Sequence, residues 1–472
     1  MNLPDPRSAR AFHFVARSFA GGVANLVYAF DDGPELVERI SFPSAPGAPA
    51  AGSDALEAAL DLLHWIAGIS YYKAGVPAGM RMRTTQPDAA TASFLDALYL
   101  HGLGEFAYRT QLDLRGRIRF PAAGASAAGD AQSAPARRAG AAGRELDTAR
   151  VSAAPDPAAL ARQRTLVPIG GGKDSLVSVE ILKAAGADAT AVWVGNSPLI
   201  AACARRTGLP MLNIGRELSP ILFEYNRLGA YNGHIPVTAI NSAILVVAAV
   251  LHGFDAIAFS NERSASSATL EYAGQPVNHQ WSKGWAFEQA FHALVKSHVA
   301  PALDYYSLLR PLSELAVAER FARASRYDTV FSSCNRNFRI LGPRPADRWC
   351  GQCPKCHFVF LALAPFMPKP RLLGIFGRNL LDDAALAPAF DALLEYRDHK
   401  PFECVGEGVE SRAAMAALAA RAEWREDALV ARFAEQIAPQ LAGQVPSLDA
   451  LLQADGPHHV PAFLRSHVLA FR

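Results

Sequence analysis

Two short stretches of the chain carry residue types whose spacing could do chemistry. The first is Ile169-Gly170-Gly171-Gly172-Lys173-Asp174-Ser175-Leu176. Glycines allow a backbone to approach phosphate oxygens closely, and the N–H groups that open a helix attract an anion. Lys173 and Ser175 can add donors to that cradle. It is not a Walker loop, because Asp174 interrupts the required Gly-Lys-Ser/Thr, and the adjacent third glycine excludes the dinucleotide fingerprint. The second stretch is Cys350-Gly-Gln-Cys353-Pro-Lys-Cys356, with Cys334 sixteen residues upstream as the natural fourth ligand. Two residues between thiols, with Gly351 and Pro354 to turn the chain, is zinc-knuckle spacing. An iron–sulfur cluster is the alternative metal reading. Cys203 and Cys404 fall outside this pattern and read as ordinary thiols.

Weaker candidates surround these two motifs. His234 sits in a polar turn, Tyr231-Asn232-Gly233-His234-Ile235-Pro236, and reads equally as a base or as a surface histidine. Glu262 and Arg263 leave a strand end; the carboxylate could hold Mg²⁺ or act as a base, and the guanidinium could clamp a carboxylate. Arg336, Arg339 and Arg344 follow the first cysteine, where they either bind an anion or solvate a loop. His279 is similarly ambiguous.

These residues need elements to position them. Leu166–Ile169 reads as a strand feeding the glycine loop, and Asp174–Ala185 as the helix it opens. Strands at Thr190–Val194, Met211–Ile214, Ala256–Ser260 and Tyr306–Leu309 then alternate with helices at Leu199–Arg206, Val237–Leu251, Trp285–His298 and Ser313–Ala324. That alternation argues for an α/β fold, a parallel sheet with helices on both faces. The segment 1–120 reads as an α+β domain. Ala11–Arg17 and Ala24–Phe30 form a hairpin across Gly21-Gly22, helices follow near Asp54–Tyr72 and Ala92–Tyr108, and Gly116–Phe120 is a basic strand candidate. Residues 121–160 hold sixteen alanines and almost no large aliphatics, so they read as a linker. The catalytic core is expected over 161–370, with a helical region over 371–472 that includes Ser411–Gln440 and Leu448–Ala454.

The glycine loop resembles that of the ATP-pyrophosphatase (PP-loop) superfamily, Ser-Gly-Gly-x-Asp-Ser. Gly171, Gly172, Asp174 and Ser175 match, and Gly170 replaces the first serine. Leu309-Arg310-Pro311-Leu312 is similar to the Arg-Pro-Leu turn of several members, and zinc-binding members carry a comparable four-cysteine site. The combination of loop, Gly-His turn, Asn261-Glu262-Arg263 and cysteines is similar to the branch that epimerises the glutamate of a UDP-linked muramoyl dipeptide. What the resemblance implies is ATP held by Gly170 to Ser175 and Mg²⁺ through Asp174. The α-carboxylate would be adenylated, and AMP and pyrophosphate released. Adenylation makes the Cα proton removable, and His234, Glu262 and His279 are the candidates for the base. Arg263, Arg310, Arg336 and Arg339 would bind the anionic substrate, and the segment 1–120 would grip its UDP-sugar end. The implied Cys334, Cys350, Cys353 and Cys356 site is structural zinc. Other adenylating reactions of the superfamily, tRNA thiolation, or an ATP-binding module without turnover are the alternatives.

Composition narrows these readings. The chain has 472 residues, 50% of them hydrophobic, with Lys plus Arg at 46 against Asp plus Glu at 44. A formal charge of +2 gives no footprint for a nucleic-acid or anionic-lipid partner, which favours a small anionic metabolite over tRNA. The longest apolar run, Ala243–Leu251, is far below the roughly 20 residues a membrane span needs. Six cysteines, three of them within seven residues, suggest metal chemistry in a reducing, cytoplasmic compartment.

Overall fold

The computed structural model describes residues 3–44, 53–124, 163–339, 343–441 and 443–470. Most of the expected linker, 121–160, lies outside the described residues. The expected α/β architecture is present. Strands β5 (Thr165–Pro168), β6 (Ala189–Val194), β7 (Met211–Glu217), β8 (Ala256–Phe259) and β11 (Asp304–Ser307) run parallel in the order β11-β8-β5-β6-β7. The chain leaves β5 for β6 on one side and later returns to β8 on the other. The gap between β5 and β8 is therefore a topological switch point, where open α/β sheets bind ligands.

Each central strand is apolar on both sides, as a sheet covered by helices on both faces requires. Val167, Ala256 and Ala258 enter one core, beneath helices Lys173–Ala184, Glu314–Phe321, Pro354–Leu363 and Gly408–Ala419. Leu166, Ile257 and Phe259 enter the other, beneath Asp54–Ala67, Ala89–Gly102, Val237–His252 and Trp285–Leu294.

The first segment of the chain extends this same sheet. β1 (Ala11–Ala20) and β2 (Val23–Phe30) form the expected hairpin, with Gly21 and Gly22 at φ +57° and +78°. β3 (Leu36–Ser41) then pairs antiparallel with β7, Arg39 opposite Glu217, so that nine strands form one sheet. Arg216 on β7 closes the joint with an Nε–Oε1 bond of 2.8 Å to Glu38, which is fully buried. The residues of 1–120 thus share a core with those after 161.

Several expected elements differ. Gly116–Phe120 is not a strand; β4 (Gly79–Met82) holds the place beside β1, and the Phe120 N–H donates to Asp96 instead. The Asp54–Tyr72 helix is interrupted at Gly68, where only glycine fits, since a Cβ there would lie 2.6 Å from Cε1 of Phe14. The strand expected at Tyr306–Leu309 lies two residues earlier. Ser411–Gln440 is interrupted after Ala419, where the chain turns to bury Trp424. The sequence reading missed β3, β4 and a small hairpin, β9 (Leu270–Tyr272) with β10 (Gln275–Val277). Among the described residues, no helix is long and apolar enough to cross a membrane.

Candidate active site

A cleft of about 310 Å³ opens at the carboxyl ends of β5, β6 and β8, at the switch point. Gly170, Gly172, Asp174 and Ser175 form one wall, Trp193 and Asn261 come from the next strand ends, and Lys283, Lys355 and Cys404 complete it. The loop has this shape because glycine permits it. Gly171 sits at φ +86°, and a Cβ there would lie 2.8 Å from Leu199 Cδ2. A Cβ on Gly172 would lie 2.5 Å from Ser333 Oγ, whereas Gly170 faces open space. No side chain caps the Lys173–Ala184 helix, so its first-turn N–H groups remain free for an anion.

The charges behind the loop differ from the sequence expectation. Lys173 does not line the cleft: it is 1% exposed, and its ammonium is held between Asp174 and Glu314. The cleft's cations are Lys283 and Lys355, neither marked by a motif of its own. Burial would raise the Asp174 carboxyl, but Lys173, Lys355 and Lys283 hold it below its ordinary value. An ionised carboxylate with part of its surface in the cleft suits Mg²⁺. Glu262 is buried, with Oε2 lacking a hydrogen-bond partner among the described residues, and burial beside Glu314 and Asp174 pushes it up to about 8.

The four cysteines converge as their spacing predicted. All four sulfurs of Cys334, Cys350, Cys353 and Cys356 lie within 4.8 Å of one another. Pairs stand at 3.5, 3.8 and 4.0 Å, near the roughly 3.8 Å edge of a tetrahedron with 2.3 Å metal–sulfur bonds. This knot reaches the glycine loop directly. The Ser332 N–H donates to Gly171 O at 2.9 Å, Ser333 packs against Gly172, and Asn335 and Phe338 line the cleft. A metal there would brace the cradle, since four thiolates leave no open position.

Cys404 is not the ordinary thiol its isolation in the sequence suggested. Its sulfur lies 3.2 Å from Lys283 Nζ, and it shares its surroundings with the His279 ring, whose charge acts on it. His279 Nδ1 in turn meets Glu105 Oε2 at 2.5 Å, and Arg109 bonds the other oxygen of Glu105. Burial would raise the thiol, but Lys283 and His279 together take it down to about 5. Burial would lower His279, but Cys404 and Glu105 bring it up to about 9. The pair is a thiolate beside an imidazolium. The His234 ring lies 4.3 Å from that of His279, tilted by 41°, and burial with that neighbour's charge takes it down to about 3. Glu105 lies in a helix of ordinary composition, and Phe402-Glu403-Cys404-Val405 matches no motif. Only contact between distant segments reveals them.

The structure does not gather the expected arginines. Arg310 is 2% exposed, and its guanidinium bonds Glu288 Oε2 at 2.8 and 3.0 Å and the carbonyls of Glu262 and Lys283. It positions those two residues and offers nothing to a substrate. Arg263 reaches the carbonyl of Gln453, Arg336 bonds Gln352, and Arg339 is exposed; none of the three lines the cleft. Cys203 is an ordinary buried thiol, which burial pushes up to about 12.

Residues 4–308 match the model of the MurL N-terminal domain, and 330–447 that of the MurL C-terminal domain. A UDP-N-acetyl-alpha-D-muramoyl-L-alanyl-L-glutamate epimerase of Xanthomonas oryzae pv. oryzae is 57% identical over 100% of this chain and 99% of its own. Enzymes of the same name from a Micromonospora species and from Salinispora tropica are 40% and 39% identical, each over 96% of this chain, covering 97% and 94% of their own. The chain belongs to the MurL family of epimerases and is an isomerase of peptidoglycan synthesis.

Proposed function

We propose that this enzyme inverts the terminal L-glutamate of UDP-N-acetylmuramoyl-L-alanyl-L-glutamate to the D form through an acyl-adenylate, consuming ATP and releasing AMP and pyrophosphate. One observation carries the reading. A PP-loop-like glycine cradle shares one cleft on the switch point of the sheet with Lys283 and Cys404, and the neighbouring strand-end residue Asn261 brings Glu262 beside it.

The chemistry explains why both halves are needed. Removing a proton α to a free carboxylate builds a second negative charge beside the first. Adenylation makes the acyl group neutral, and the enolate then forms far more easily. The loop N–H groups and Lys283 stabilise charge on the phosphates as the α–β bond breaks. Asp174 would hold Mg²⁺, which supplies charge neutralisation on the nucleotide. Cys334, Cys350, Cys353 and Cys356 would hold a structural zinc ion that fixes the loop.

Inversion needs a proton acceptor and a donor on opposite faces of the planar enolate. Environments that drive pKa values apart support such an assignment. His234, held near 3, is neutral at pH 7, whereas Glu262, held near 8, carries its proton. We assign them as acceptor and donor. The UDP-sugar end is read onto the first segment, where Arg10 and Arg117, with Tyr231 from the later part of the chain, line a separate cleft of about 440 Å³. The substrate is small and anionic, no nucleic acid or membrane is involved, and the compartment is the cytoplasm.

A pyrophosphate-release assay across acidic metabolites tests the reading. Release with the UDP-linked dipeptide and ATP, but not with small free acids or tRNA, is expected. Release that ignores the dipeptide and follows another acid would replace it with a different adenylating reaction.

A further inference from the structure

The proton-transfer roles above leave one reactive group unused. Cys404 lines the same cleft as the glycine loop, so an acyl group activated there lies within reach of its sulfur. Its sulfur is 3.2 Å from Lys283 Nζ, and it interacts electrostatically with His279, whose ring Glu105 holds at 2.5 Å. A nucleophile, its base partner, and a third group that orients the base are the signature of covalent catalysis. The segment around the sulfur is pinned from several directions. Lys355 bonds the Cys404 carbonyl, Gln280 donates to the Val405 carbonyl at 3.3 Å, and Phe402 lies against Tyr108 and under Arg109. That much fixing is not needed for a bystander.

We propose that Cys404 is a covalent nucleophile that takes the activated glutamyl group from AMP as a thioester. The proposal rests on the acyl-adenylate reading above. The sulfur attacks the acyl carbon, the C–O bond to the phosphate breaks, and AMP leaves with the electron pair. Because the sulfur enters as a thiolate, this step needs no proton removed. A thioester also acidifies the Cα proton, since sulfur donates little electron density to the carbonyl. After inversion, water adds to the acyl carbon and the C–S bond breaks. The carboxylate and the Cys404 thiolate are restored, and two protons pass to solvent. A covalent tether holds the glutamyl group in register while its stereocentre is planar.

The test begins with the unmodified full chain. It is mixed with ATP, Mg²⁺ and the UDP-linked dipeptide, then acid-quenched over a series from milliseconds to minutes. Peptide mass spectrometry is expected to find the dipeptidyl adduct on Cys404 and to see it removed by hydroxylamine. Cys404→Ala is expected to keep dipeptide-dependent exchange of pyrophosphate into ATP, while Cα labelling from D₂O falls by about 10²-fold or more. A quench series without the adduct, or an adduct on another residue, overturns the proposal. So does C404A labelling Cα at the parent rate, or losing pyrophosphate exchange together with the label. Absence of both AMP and Cα label in the unmodified chain would instead refute the acyl-adenylate reading itself.

Discussion

Gly171→Ala adds one methyl group and tests whether the loop is a nucleotide cradle. Gly171 lies at φ +86°, where an L-residue costs roughly 1–2 kcal/mol. Its new Cβ would stand 2.8 Å from Leu199 Cδ2, and such overpacking costs about 1–3 kcal/mol. The loop cannot relax freely, because Gly171 O holds the Ser332 N–H at 2.9 Å and thereby the cysteine knot. The combined cost of about 2–5 kcal/mol corresponds to ATP binding about 30-fold to several-thousand-fold weaker, if the loop moves to escape it. Titration calorimetry with ATP, alongside AMP formation with the dipeptide, reads this directly. Gly170→Ala is the comparison, since its methyl meets nothing in the protein and bears only on the ligand. ATP affinity in G171A within about threefold of the parent would refute the loop as the phosphate site.

Other consequences follow from the same contacts. Arg310→Met is expected to cost about 3–5 kcal/mol of stability, because buried Glu288 loses its partner. A urea melt checks this, and an unchanged midpoint with a raised dipeptide KM would restore Arg310 to substrate binding. Cys350→Ser is expected to lower zinc content by elemental analysis and to weaken ATP binding through the Ser332–Gly171 contact; metal-free protein with parental ATP affinity contradicts that brace. His279 is raised from 6.5 to about 9, so its stabilisation is complete below pH 6.5 and is lost as pH rises through 9. The stability gap between the parent and His279→Gln should shrink over that window, and a gap that widens refutes the ion pair. Iodoacetamide should alkylate Cys404 with a midpoint near 5, far below an ordinary thiol, and a midpoint above 8 would remove Lys283 and His279 as its partners.

The parts of the site that were legible in the sequence are those in which local geometry dictates residue type. Gly171 and Gly172 were readable because a tight strand-to-helix turn packed against Leu199 and Ser333 admits few alternatives. The four cysteines were readable because two-residue spacing across Gly351 and Pro354 is what brings thiols to one point. The alternation of strands and helices gave the sheet, since burial on both faces demands continuous apolar strands. β3 and β4 were not readable, because both are short strands whose place is set by pairing with distant segments, β3 between β2 and β7 and β4 at the edge beside β1. Lys283, Glu105 and Cys404 were invisible for a related reason. They belong to three distant segments, and their charges acquire meaning only where those segments touch. Arg310 misled because its turn marks a structural joint, where a buried arginine binds Glu288 and two carbonyls.

The most direct test of the account couples the two halves of the reaction in one tube. The enzyme, ATP, Mg²⁺ and the UDP-linked dipeptide are incubated in D₂O, and AMP and the glutamate Cα are followed together. The account predicts that the D-glutamyl product carries one deuterium at Cα and that its appearance tracks AMP formation. AMP formed without label at Cα, or labelled product formed without ATP, would contradict it.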